Sequence, residues 1–180
     1  EESVILAHES HVTDVKFTQD GKELLSAGMD NFIKIWSVPG WELKNTFEGH
    51  GKSVNSLSFS SDGKMLASGS TDTSVKLWSY PSGEVLHTLQ GHKKTVACVA
   101  FSPDSQILAT TSYDGNVKLW SVESGEELQV LKGHKKNVGS ASFSPDGSYL
   151  ATGGLGGEII IWSVENGEEV ERLEKHDVAV

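Results

Sequence analysis

Four tryptophans, Trp36, Trp78, Trp120 and Trp162, stand 42 residues apart along the 180-residue chain: 78−36, 120−78 and 162−120 all give 42. His8, His50, His92, His134 and His176 keep the same step, as do Phe17, Phe59, Phe101 and Phe143. A period of about 40 to 45 residues marks an array in which each repeat is one blade of a β-propeller. Such repeats bury their faces mainly against their neighbours, so length counts blades rather than globular domains.

The third repeat shows why the unit is a blade. Thr95 to Ser102 alternates the apolar Val96, Val99 and Phe101 and runs into the turn residues Pro103-Asp104-Ser105. Ile107 to Ser112, Asn116 to Ser121 and Glu127 to Leu131 read as three further strands, separated by Asp114-Gly115 and by Glu123-Ser124-Gly125. The expected fold class is therefore all-β, built of four-stranded antiparallel meanders. Stepping by 42 places four complete blades at about 12–47, 54–89, 96–131 and 138–173, with partial repeats over 1–7 and 176–180. On this reading both ends are cut inside repeats, as in a piece of a longer array.

The Gly-His pairs at 49–50, 91–92 and 133–134, Phe-Ser-Pro-Asp at 101–104 and 143–146, and Val-Lys-Leu-Trp at 75–78 and 117–120 together resemble WD40 repeats. The resemblance covers essentially the whole chain. It departs from the family in one uniform way: Ser37, Ser79, Ser121 and Ser163 follow the tryptophans where the name-giving Asp would stand.

Each of the first three repeats presents His, Ser or Thr, Asp and Trp at fixed offsets: His8, Ser26, Asp30, Trp36; His50, Ser68, Asp72, Trp78; His92, Thr110, Asp114, Trp120. A catalytic triad is needed once, beside an oxyanion site, whereas this set recurs in every blade. Similarity to WD40 proteins implies a structural chain of hydrogen bonds in which Asp orients His, His meets the hydroxyl and the hydroxyl meets the indole. The fourth repeat has His134, Thr152 and Trp162 but Gly156 in place of Asp. His134 is accordingly expected to lack a carboxylate, and blade four to be the least stable.

Composition narrows the function further. A formal charge of −10 disfavours roles that neutralise phosphates or sit on anionic membranes, so nucleic acid is not an expected partner. No apolar run approaches the length of a membrane span. The single Cys98 fits a reducing, intracellular and most simply cytoplasmic setting, and its alignment with Asp14, Ser56 and Ser140 makes it an inner-strand residue rather than a nucleophile. No His or Cys pair has metal-ligand spacing, and the glycines from Gly153 to Gly157 precede a strand rather than the helix a nucleotide loop requires. Neither metal nor cofactor is expected, and no enzymatic activity.

What remains is a rigid scaffold whose loops can carry binding. In WD40 proteins the usual partner face holds the loop before the inner strand and the turn between the second and third strands. The resembling positions are His11, Thr13 and Met29; Ser53, Asn55 and Thr71; Thr95, Ala97 and Tyr113; Asn137, Gly139 and Leu155. Met29, Tyr113 and Leu155 are the anchors of this ring, with Lys93, Lys94, Lys135 and Lys136 as a basic sector beside them. Trp41, at the position of Gly83, Gly125 and Gly167, belongs to the opposite face and is expected to fold back onto its own blade. The function expected is a non-catalytic scaffold for protein or peptide partners, or else a regulatory or sensor module of a larger protein. If the chain is complete, two copies are expected to close an eight-bladed ring.

Overall fold

A computed structural model of the protein describes residues 7–174. Sixteen strands form four sheets, each a meander in chain order. Blade one holds β1 (Val12–Phe17), β2 (Glu23–Gly28), β3 (Ile33–Ser37) and β4 (Leu43–Phe47); blade two holds β5 (Val54–Phe59), β6 (Met65–Ser70), β7 (Val75–Ser79) and β8 (Val85–Leu89). Blade three holds β9 (Val96–Phe101), β10 (Ile107–Ser112), β11 (Asn116–Ser121) and β12 (Glu127–Lys132); blade four holds β13 (Val138–Phe143), β14 (Tyr149–Gly154), β15 (Ile159–Ser163) and β16 (Glu169–Leu173). All pairings are antiparallel. The partial repeats expected at the two ends lie, apart from Ala7, outside the described residues.

The turn between the first two strands is locked the same way in every blade. Ser102 Oγ donates to Asp104 at 2.6 Å while accepting the Ile107 N–H at 3.0 Å, and Asp104 also accepts the Gln106 N–H at 3.0 Å. Thr18 with Asp20, Ser60 with Asp62 and Ser144 with Asp146 repeat this arrangement. These side chains satisfy backbone groups that the ladder leaves free at the turn.

No blade owns a core. The three apolar clusters lie in the seams: Leu25, Ile33, Ile35 and Phe47 of blade one meet Val54, Leu57, Leu66 and Trp78 of blade two. The next two seams repeat this, with Trp120 and then Trp162 entering from the later blade. At 25 cal/mol per Å² of apolar surface, a buried side chain of this size stabilises by roughly 1.5 to 3 kcal/mol. The inner strands are also stapled across the seams. Asp14 accepts the Leu57 N–H at 2.8 Å, Ser56 accepts the Val99 N–H at 3.2 Å, and the Cys98 thiol lies 4.0 Å from the Ala141 carbonyl.

Seam packing also explains the hairpin glycines. A Cβ on Gly83 would lie 2.6 Å from Phe47, one on Gly125 2.9 Å from His87, and one on Gly167 2.4 Å from Gln129, each a side chain of the preceding outer strand. Blade one has no such neighbour among the described residues, and there Trp41 occupies the position at φ +57. Its indole is 45 % exposed, so the expected folding back covers it only in part. Val12, Val15 and Phe17 on the same blade are 47, 51 and 58 % exposed, although their register equivalents Val54 and Leu57 are sealed in a seam.

Candidate functional site

The face that carries the loops before the inner strands is organised by two features that recur in all four blades. Each inner strand has a bulge: Val12 pairs with Gly28 and Asp14 with Ala27, leaving Thr13 as the extra residue. Asn55, Ala97 and Gly139 are the extra residues of the other three blades. A bulge re-aims its side chain out of the ladder, here toward the mouth between the blades. A backbone bond then ties the turn to the loop: Met29 N–H donates to the His11 carbonyl at 2.9 Å, Thr71 to Ser53 at 2.9 Å, Tyr113 to Thr95 at 3.0 Å and Leu155 to Asn137 at 2.7 Å.

These bonds bring together the pairs expected from the sequence. His11, Thr13, Met29, Asn55, Thr71, Thr95, Ala97, Tyr113 and Gly139 line a single depression of about 590 Å³, joined by Val12. Ser53, Asn137 and Leu155 are not among its walls; Asn137 instead lines the neighbouring groove between blades three and four. Some polar groups of the ring are spent internally. Thr13 Oγ1 donates to the Val54 carbonyl, Asn55 Nδ2 donates to the Val96 carbonyl at 2.9 Å, and Thr71 bonds Asn55. Met29, Tyr113 and Leu155 stay 48, 38 and 37 % exposed on this face.

Beneath this face run the four hydrogen-bond chains. In blade two, Trp78 Nε1 donates to Ser68 Oγ at 2.8 Å, Ser68 Oγ lies 2.7 Å from His50 Nε2, and His50 Nδ1 lies 2.9 Å from Asp72. A neutral imidazole protonated on Nδ1 satisfies every member. Blades one and three match, with His8 Nδ1 2.8 Å from Asp30 and His92 Nδ1 3.1 Å from Asp114, and with Ser26 and Thr110 taking the indole protons at 2.9 Å. The hydroxyls of Ser26, Ser68, Thr110 and Thr152 are at most 2 % exposed and each is engaged by an indole, so none is available as a nucleophile.

Burial pushes the His50 and His92 imidazoles below the usual histidine range, against the opposing pull of Asp72 and Asp114. Burial works to raise Asp72, but the Ser74 hydroxyl and N–H, the Gly51 N–H and His50 outweigh it and hold the carboxyl at about 2.

Blade four corrects one expectation. His134 does have a carboxylate: Glu158 Oε1 lies 2.9 Å from its Nδ1, while Thr152 and Trp162 complete the chain at 2.8 and 2.7 Å. The acid comes from the first residue before β15 instead of from the turn, and its extra methylene lets it fold back to the same ring nitrogen. The glycines make room for it. A Cβ on Gly156 would stand 2.2 Å from Glu158 Oε2, and one on Gly154 2.6 Å from both Glu158 and His134. The ground for ranking blade four weakest is thereby removed. The signal was in the sequence, a lone Glu opening an apolar strand directly after the glycine run.

Among the described residues no group of three His, Cys, Asp or Glu side chains could hold a metal ion. Burial raises the Cys98 thiol, which keeps it protonated and inert. No helix is long and apolar enough to cross a membrane among the same residues.

Four meanders stacked through apolar seams, with one buried hydrogen-bond chain per blade, define a β-propeller domain. Residues 11–180 match the family model described as the IFT122 first beta-propeller, and the chain belongs to that family. No match is found among curated proteins.

Proposed function

We propose that this propeller segment is a non-catalytic interaction module of the WD40 type that holds a protein or peptide partner on the face ringed by Met29, Tyr113 and Leu155. One observation carries the reading: nine residues from two loops, three turns and four bulges, distributed over all four blades, converge on one open depression of about 590 Å³. Such a mouth presents rigid backbone and half-exposed anchors, the combination that peptide recognition exploits. The test is calorimetric titration of partners captured by the chain, comparing the native protein with Tyr113→Ala. An anchor of this kind contributes about 1 to 2 kcal/mol, so affinity falls roughly 5- to 30-fold with thermal stability nearly unchanged. Unaltered affinity for every partner removes the face from consideration.

The homodimer is a second element of this reading. The open front of blade one repeats the half-seam that Val54 and Leu57 present, and the outgoing side of blade four, with Ile159 and Ile161, repeats the half-seam of Ile33 and Ile35. A second copy can therefore use both. Light scattering distinguishes a species of twice 19.4 kDa from a monomer, which sinks the dimer while leaving the binding face intact.

A further inference from the structure

We propose that the partner held on this face is an acidic peptide segment, seated with an apolar side chain over the central mouth and its carboxylates in the groove between blades three and four. This rests on the reading of the face given above and adds the chemistry of the partner.

The groove has a volume of about 300 Å³ and continues from the central depression, Tyr113 forming a wall of both. Lys94, Lys132, Lys135 and Lys136 line it, all exposed. The same register positions differ around the face. The two residues after the repeat histidine are Glu9-Ser10 in blade one and Gly51-Lys52 in blade two, but Lys93-Lys94 and Lys135-Lys136 in blades three and four. Positive charge is thus gathered in one sector of a chain whose formal charge is −10.

Positive charge stays in excess there: four lysines line the groove against one acid, Asp114. Asp114 and Glu158 are held by His92 and His134, and the ion pairs of the sector are Lys118 with Glu127 and a loose, exposed Lys135 with Glu174 at 3.7 Å. Lys94, Lys132 and Lys136 face the groove with no ion pair within 4 Å among the described residues. The mouth is also open on this side. Thr13 and Asn55 close the first two seams with bonds to the next blade, whereas the bulge residues of blades three and four are Ala97 and Gly139, which have nothing to reach with. A phosphate backbone would need the basic track to continue, and on blade one it meets Glu9 and Glu48.

The experiment is a titration of the isotope-labelled chain, followed by amide shifts, with the acetylated peptide Phe-Gly-Glu-Glu-Gly-Glu-Glu, its glutamine counterpart and a short oligothymidylate. The expected result is shifts at Lys94, Tyr113, Lys135 and Lys136 with the acidic peptide, weakened by salt, and about tenfold weaker binding of the glutamine peptide. Lys94→Glu with Lys136→Glu abolishes the preference, while Lys22→Glu with Lys64→Glu leaves it. Equal binding of the two peptides around Tyr113 overturns the acidic chemistry and spares the face. Absence of shifts at the face with either peptide overturns both, as does a response spread over lysines of both faces. Tighter binding of the oligothymidylate reassigns the groove to nucleic acid.

Discussion

Blades two and four reach the same histidine geometry from different ends of one hairpin. Asp72 sits in the turn itself, where it bonds His50, the Gly51 N–H and both the hydroxyl and N–H of Ser74. It joins the loop before the inner strand to its own turn at one point. Glu158 sits beyond the turn and spends its side chain on His134, with glycines at 154 and 156 clearing its path. The orienting function survives the move, but the knitting of the turn does not. What the repeat demands is a carboxylate at the imidazole Nδ1, not an aspartate at one sequence offset.

The indole is common to both blades, so its removal should have the largest effect. Trp78→Ala opens a cavity between Phe47 and Leu57 and leaves Ser68 without its donor, at a cost of about 3 to 5 kcal/mol measured by chemical denaturation. Trp162→Ala should cost about as much, because Trp162 is equally buried in the seam it shares with blade three and gives its indole N–H to Thr152. The carboxylates separate the blades. Asp72→Ala removes several bonds at once and should lower stability by about 2 to 3 kcal/mol, against about 1 to 2 for Glu158→Ala. Equal losses would erase the distinction between a knitting acid and a merely orienting one.

The exchange can also be run backwards. Gly156→Asp alone forces its Cβ against Glu158 and should destabilise by about 1 to 3 kcal/mol. Combining it with Glu158→Ser restores the pattern of Asp72 and Ser74 and should recover most of the loss, a coupling that a double-mutant cycle reads directly. Additive losses would mean that the two positions do not share the site.

The array was legible because its period fixes tryptophan, histidine and turn residues simultaneously, and each blade can be checked against three others. The resemblance to WD40 repeats, applied blade by blade at that period, carried the hydrogen-bond chains of blades one to three and nine of the twelve loop positions around the mouth. It failed at Glu158 for a physical reason: alignment by offset asks which residue stands at a position, whereas a hydrogen bond asks which oxygen reaches a nitrogen. The inner-strand staples were equally hidden. Asp14 and Ser56 align with Cys98, and only the approach of the next inner strand, about 43 residues on, reveals that all three side chains look across a seam. Trp41 shows the converse, because the glycine rule it breaks comes from a neighbour rather than from its own hairpin.

The smallest effect concerns protons. Burial holds His50 and His92 below the ordinary histidine value of 6.5, so between the lowered value and 6.5 the unfolded chain binds more protons than the folded one. Stability then rises with pH across that window. The contribution of the neutral imidazoles is present above 6.5 and is lost as pH falls through the unfolded value toward the folded one. Asp72 acts in a separate range: its carboxyl, lowered from 3.8 to about 2, withdraws its support only as pH drops through that more acidic interval. A melting-temperature profile should therefore decline gently just below pH 6.5, hold, and fall again below 3.8. In His50→Asn the first decline should shrink, since one of its two sources is gone. An unchanged first step in that variant would place the protons elsewhere and separate the blade-two chain from the acid sensitivity of the fold.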